Sequence, residues 1–183
     1  MDICYGCHML PAVSLSGARK FGRDIYSYRP GDALADYAPP LDVTEHDLPR
    51  ADRFEINHHP YRLEQSKCFR ASEGRLSCLT CHDPHRKVPP EQQAAHYRNA
   101  CLSCHSKPHT TTGDCTSCHM PKRRTQDVVH AVMTDHFIRR TPGGPELLAP
   151  LEERDPSVDG VDFLDPHQAP TGALGELYRL IPL

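Results

Sequence analysis

Four copies of the pentapeptide Cys-x-x-Cys-His constrain this chain more than any other feature of its sequence. They occupy residues 4–8 (motif 1), 78–82 (motif 2), 101–105 (motif 3) and 115–119 (motif 4). Cysteines three positions apart lie on one face of a helical turn, so both sulfurs can form thioethers to one porphyrin. The adjoining histidine can then ligate the iron. The pattern therefore predicts four covalently attached c-type haems.

The motifs supply the attaching cysteines and the proximal iron ligands. The predicted attachment residues are Cys4, Cys7, Cys78, Cys81, Cys101, Cys104, Cys115 and Cys118. The predicted proximal ligands are His8, His82, His105 and His119. Structural zinc and a disulfide framework are the two alternatives. Both explain the cysteine pairs, but neither explains a histidine after every second cysteine.

The composition offers little material for an ordinary apolar core. Hydrophobic residues make up 38% of the 183 residues, a figure that includes nine cysteines, and the chain has no Trp and five Phe. Porphyrins would supply the missing apolar surface. Eighteen prolines and eleven glycines disfavour long helices and extensive sheets. We therefore expect a mainly irregular, haem-cored multihaem cytochrome fold with short α-helices and little or no β-sheet.

The motif positions predict a tetrahaem domain over residues 1–140, with haem 1 at 4–8 and a haem cluster at 78–119. Residues 141–183 contain no haem motif and begin with a Pro/Gly-rich break, which predicts a strap. Residues 155–170 are acidic and are expected to be irregular, whereas residues 127–139 fit either a helix or a strand. Helices are predicted at residues 61–70, 91–104, 146–154 and 175–181.

Histidines are abundant enough to fill the second axial position of every iron. Four of the thirteen histidines belong to the motifs, so nine remain for four positions. This surplus favours six-coordinate bis-histidine iron, although Met133 stays open as a ligand. The preferred distal ligands are His85, His109, His130 and His136, with His58, His59 and His96 in reserve. Which histidine serves which haem, and whether another subunit donates a ligand, are left open.

Four segments resemble a family of bacterial multihaem c-type cytochromes. They are residues 28–31 (YRPG), 61–69 (YRLEQSKCF), 78–85 (CLTCHDPH) and 118–125 (CHMPKRRT). In that family the cytochrome segment is commonly followed by tetratricopeptide repeats. The resemblance covers about residues 1–150 and implies an exported electron-transfer segment, with His85, His109 and His136 as distal ligands. The chain departs from the family by lacking the repeats and the additional upstream motifs, as expected of a fragment, a processed form or a shortened relative.

Charge and hydropathy narrow the location and the partners. The net charge is −3 without a basic stripe, which argues against nucleic acid, and no segment is apolar enough to span a membrane. Haem attachment in the c-type families is extracytoplasmic, so we expect a periplasmic or extracellular protein whose signal peptide has been removed.

Cys68 stands outside the motifs and is interpreted as a buried apolar residue, an intermolecular disulfide partner or a modification site.

Three functions are compatible with these features. The first is electron transfer by hopping between closely spaced haems, with redox proteins as partners, and with self-association into an extracellular filament as an extension. The second is a soluble periplasmic carrier that serves a reductase. The third is a multihaem reductase, which requires an open iron site. Because every motif keeps its histidine and distal candidates are in surplus, we expect no enzyme activity.

Overall fold

The computed structural model describes residues 1–9, 20, 22–24, 26–106, 113–164 and 171–180. Its helices are α1 (Asp2–His8), α2 (His59–Glu64), α3 (Lys67–Ala71), α4 (Cys78–Cys81), α5 (Pro90–Leu102), α6 (Cys115–His119) and α7 (Ala173–Leu180). Its strands are β1 (Leu41–Glu45), β2 (Lys122–Arg124), β3 (Val132–Thr134) and β4 (Val158–Phe163). Short 3-10 turns cover Leu34–Asp36, Arg50–Asp52 and Pro145–Leu148. The predicted haem-cored fold class stays a prediction.

The strongest helix prediction is confirmed. Helix α5 begins at Pro90, where a missing amide hydrogen costs nothing because the first turn has no intrahelical acceptor. It ends at Leu102, close to the predicted residue 104. The predicted final helix is also present as α7. The ambiguous segment 127–139 contains a strand, β3.

Three secondary-structure predictions are wrong. The single helix expected over residues 61–70 is divided into α2 and α3 at Ser66, whose backbone is extended (φ −68°, ψ 136°). The Ser66 hydroxyl accepts a hydrogen bond from the Ile138 N–H (2.8 Å), a tertiary contact that favours the break. The acidic segment expected to be irregular contains β4, because Val161 and Phe163 alternate inward and pair with β1. The helix expected from residue 146 is a 3-10 turn that ends at Leu148.

The chain divides into two compact units. Unit 1 comprises residues 1–58, 126–129 and 152–183, and unit 2 comprises residues 59–125 and 130–151. Unit 1 contains motif 1, and unit 2 contains motifs 2, 3 and 4. The predicted boundary after residue 140, between a haem domain and a strap, is based on the positions of the haem motifs, and it stays a prediction.

Unit 1 contains an antiparallel sheet formed by β1 and β4. The register pairs Leu41 with Phe163 and Val43 with Val161. These four residues form a buried apolar cluster, with Phe163 only 1% exposed. Helix α7 packs against β4. Unit 1 therefore contains a small core made of side chains.

Unit 2 is organised differently. Strands β2 and β3 form an antiparallel pair in which Arg123 lies opposite Met133. Helices α4, α5 and α6, which carry the motifs, contain no buried residue. The buried side chains of the unit include the ion pair of Arg62 with Asp135. In the described part of the chain, no helix combines the length and the apolar character needed to cross a membrane.

Candidate haem-binding sites

Each attachment motif lies on a helical turn. Motif 1 is contained in α1 and motif 4 forms α6, while the first four residues of motif 2 form α4. Motif 3 begins in the last turn of α5 and continues into the turn that follows the helix. In motifs 2 and 3 the histidine N–H donates to the carbonyl of the first cysteine, at 2.9 Å in motif 2 and 3.0 Å in motif 3. This hydrogen bond closes one turn around both cysteines, so the two sulfurs and the imidazole can address one porphyrin.

Helix caps fix where these turns begin. The Asp114 carboxylate accepts the Thr116 N–H (2.9 Å) at the start of α6. Ser77 and Thr80 form a reciprocal capping box at the start of α4, in which the Ser77 N–H donates to the Thr80 hydroxyl (3.0 Å). Both caps satisfy backbone donors that a four- or five-residue helix would otherwise leave to solvent. These caps therefore fix the residue at which each of the two motif helices begins.

The motif thiols are accessible to solvent. All eight attachment cysteines are partly or fully exposed. Burial raises the pKa of the Cys101 thiol to about 11, and the charge of Cys115 adds to the shift. Burial also raises the pKa of the Cys81 thiol.

The arrangement of possible ligands bears on whether the chain binds zinc. Within the ranges that the structure describes, the one group of three metal-ligand side chains is Asp42, Glu55 and His58, in unit 1. This group contains no cysteine. Arg53 donates to Asp42, and it also donates to Glu55 (3.3 Å), so a guanidinium already neutralises these carboxylates. The group is a buried ion network, and a metal ion bound there would be repelled by the Arg53 guanidinium.

His119, the proximal residue of motif 4, is oriented by a backbone carbonyl. Its Nδ1 lies 2.7 Å from the Arg139 carbonyl oxygen, and the Arg139 N–H donates to the His119 carbonyl (3.0 Å). A carbonyl can only accept, so Nδ1 carries the proton and Nε2 keeps its lone pair for a metal. This is the outer hydrogen bond expected of a metal-binding histidine.

Three predicted ligands come together in unit 2. The ring centroids of His82 and His136 are 6.1 Å apart, with an interplanar angle of 34°. The ring centroids of His59 and His136 are 4.6 Å apart. Two imidazoles on opposite sides of one iron need centroids about 6 Å apart, since each metal–nitrogen bond is about 2 Å and each nitrogen lies about 1 Å from its ring centre. His82 and His136 fit this requirement, whereas His59 lies too close to His136 to share an iron with it.

His136 is also prepared as a ligand through its tautomer. Its Nδ1 lies 3.0 Å from the Thr134 carbonyl oxygen, so Nδ1 donates and Nε2 keeps its lone pair for a metal. His96 has the opposite arrangement, because its Nε2 lies 2.9 Å from the Cys81 carbonyl oxygen. In this structure the His96 Nε2 is therefore engaged by a carbonyl.

The other predicted ligands are not gathered around a motif histidine by any described contact. His85 and His130 are exposed, and the Asp83 carboxylate accepts the His85 N–H (2.9 Å). His58 is fully buried in unit 1, with its Nε2 3.1 Å from a Glu55 carboxylate oxygen. His109 lies outside the described residues. The assignments of these histidines stay predictions.

Sequence reasoning missed the buried charges that surround His136. Asp135, Arg62 and Ser66 are all buried in unit 2 and contact one another or the backbone next to His136. One signal was available, since Asp135 directly precedes a predicted ligand. Its partner Arg62 lies 73 positions away along the chain, and no local pattern reveals such a contact.

Comparison with known proteins identifies one family motif. A family model described as the doubled CXXCH motif matches residues 71–110, a span that contains motifs 2 and 3. This motif indicates covalently bound c-type haem and a multihaem c-type cytochrome, which is consistent with electron transfer. No curated protein and no solved structure matches the chain.

Proposed function

We propose that the chain is a tetrahaem c-type cytochrome that transfers electrons between bis-histidine haems. The spacing of His82 and His136 carries this proposal, because it fits two imidazoles that share one iron. Motifs 1 and 4 have the same pentapeptide as the doubled motif, which supports four haems over two. When bound, the haems supply one-electron redox chemistry.

The residues of the motif 2 site have separate tasks. Cys78 and Cys81 would hold the porphyrin covalently, and His82 and His136 would ligate its iron. The Thr134 carbonyl fixes the tautomer of His136. Iron with two histidine ligands would leave a small substrate no place to bind at this site, which supports an electron carrier over a reductase. Donor and acceptor are then redox proteins.

The location and the assembly belong to the same proposal. A location in the periplasm or beyond it is supported by covalent haem attachment, which is extracytoplasmic in the c-type families. Self-association, up to a filament, is supported by leucines spaced three apart on α7. Leu174 and Leu177 are each 42% exposed and Leu180 is 62% exposed. A soluble carrier that serves a reductase is the alternative, and the particle size at high protein concentration separates the two.

Carbon monoxide tests the axial ligands. The reduced wild-type protein should leave carbon monoxide unbound, whereas His136→Ala should bind it at one haem. His96→Ala is the matched control and should behave as the wild type, since the His96 Nε2 already bonds a carbonyl. The mass of the denatured protein should include four haems. Carbon monoxide binding by the wild type, or its absence in His136→Ala, would contradict the proposal.

A further inference from the structure

Asp135 is the centre of the buried charges of unit 2. Its side chain is fully buried and accepts two hydrogen bonds from Arg62, at 2.9 Å from Nε and 2.8 Å from Nη2. Arg139 Nη2 donates to it at 2.9 Å, and Arg123 Nη1 lies 4.0 Å away. One carboxylate thus holds together three guanidinium groups. Such a cluster gives little net stability compared with apolar packing, so its value lies in the geometry it imposes.

One side of this cluster fixes the backbone on both sides of His136. Asp135 Oδ1 accepts the Phe137 N–H (2.9 Å), a hydrogen bond that spans His136. Ser66 Oγ donates to the His136 carbonyl (3.3 Å) and accepts the Ile138 N–H (2.8 Å). Together with the bond of the ring to Thr134, these contacts leave His136 little freedom to turn.

The other side of the cluster reaches His119 through Arg139. The Arg139 side chain donates to Asp135, while its backbone exchanges two hydrogen bonds with His119. Asp135 therefore touches the residue that orients the proximal histidine of motif 4. The same carboxylate accepts the N–H of Phe137, the residue that follows His136, the distal candidate for motif 2.

We propose that Asp135 is a positioning residue shared by two haem sites. It orients His136, the second ligand of the haem on motif 2, through the N–H of the next residue, Phe137. It orients His119, the proximal ligand of the haem on motif 4, through Arg139. This inference rests on the proposed function, because it assumes that both histidines bind iron. Loss of the one carboxylate should then change two iron sites together.

Three variants of the full-length holoprotein separate the two sides. Asp135→Asn keeps the shape of the side chain and removes the charge, so it should change two of the low-spin ferric signals in electron paramagnetic resonance and shift two midpoint potentials. Ser66→Ala touches only the His136 side and should change one of those two signals. Arg139→Met touches the His119 side and should change the other. A purely structural carboxylate would lower stability without this pattern.

The control is Asp162→Asn, which removes an exposed ion pair with Arg179 in unit 1 and should leave all signals unchanged. Unchanged signals in Asp135→Asn, or the same single signal moved by Ser66→Ala and Arg139→Met, would overturn the inference. If Asp135→Asn yields no holoprotein, the other two variants decide by the same criterion. Carbon monoxide binding by His136→Ala keeps the cases apart: binding without the signal pattern defeats the shared positioning alone, whereas no binding defeats the proposed function.

Discussion

The two compact units both bury charged side chains, but they differ in the apolar side chains that they bury. Of the nine buried hydrophobic residues in the described ranges, only Leu63 belongs to unit 2. The apolar cluster of β1 and β4 lies in unit 1, and buried Arg62, Ser66, Thr125 and Asp135 lie in unit 2. Unit 1 therefore has a side-chain core, and unit 2 has a hydrogen-bonded charged centre without one.

The location of the motifs gives this difference a physical meaning. Unit 2 carries three of the four motifs, on helices that bury none of their residues. Helix α5 extends for 13 residues in this way, although a helix normally gains most of its stability by burying an apolar face. Porphyrins lying on these helices would supply the missing contacts. We infer that unit 2 depends on haem for its fold and that unit 1 depends on it less.

Removal of the haems of unit 2 should have the largest effect. Replacement of the cysteines of motifs 2, 3 and 4 by alanine should abolish the amide protection of α5 while β1 and β4 keep theirs. The reason is that the β1–β4 cluster consists of side chains. Hydrogen exchange followed by mass spectrometry measures both regions in one sample. The matched control replaces Cys4 and Cys7, which should leave α5 protected. Protection that persists in α5, or that vanishes in both regions together, would contradict the inferred difference between the units.

A cavity in the apolar cluster of unit 1 should destabilise unit 1 and leave the haems of unit 2 bound. Phe163 is 1% exposed in the β1–β4 cluster, and burial of this kind makes Phe→Ala cost about 3–5 kcal/mol in the free energy of unfolding. Phe163→Ala should show this loss in denaturant titration of β1 and β4, with the haem spectrum of unit 2 unchanged in native buffer. Leu177→Ala, on the exposed face of α7, should change the free energy of unfolding by less than about 0.5 kcal/mol. Loss of the low-spin spectrum in Phe163→Ala would mean that the units share one core.

The attachment sites could be predicted because their signal is local. Five consecutive residues specify each motif, and the structure places every motif on a helical turn. Helix α5 was predictable for the same reason, since Pro90 and good helix formers stand next to one another. The break at Ser66 was not, because its hydroxyl bonds residues 136 and 138 on a distant segment. Strand β4 was hidden by its acidic composition and forms through its pairing with β1.

The pairing of axial ligands lies beyond local signals for a similar reason. Counting histidines identified His136 as a candidate but could not connect it to His82, because the connection depends on tertiary structure. His58 shows the same limit. In the sequence it resembles its neighbour His59, yet the structure places it in the ion network of unit 1, against Glu55. Only the fold separates the two histidines.

The smallest expected effect is a pH dependence of stability that distinguishes His58 from a haem ligand. Burial lowers the pKa of His58 from 6.5 to about 4, with Arg53 also lowering it and Asp42 opposing the shift. Between these two pH values the unfolded chain binds a proton that the folded chain does not, so the stability of unit 1 should fall as the pH falls from 6.5 to 4. The full effect is roughly 3 kcal/mol, at about 1.4 kcal/mol for each pH unit. Below pH 4 this group should contribute no further loss.

His58→Gln should flatten the pH dependence of the free energy of unfolding in that window, measured by denaturant titration at a series of pH values. His46→Gln is the control, because His46 is an exposed histidine of the same unit, and it should keep the wild-type slope. A histidine bound to iron could not titrate in this way. If His58→Gln instead allows a haem to bind carbon monoxide and leaves the slope unchanged, His58 is an iron ligand. The ion network of unit 1 would then be a haem site, and unit 1 would not be the unit that depends less on haem.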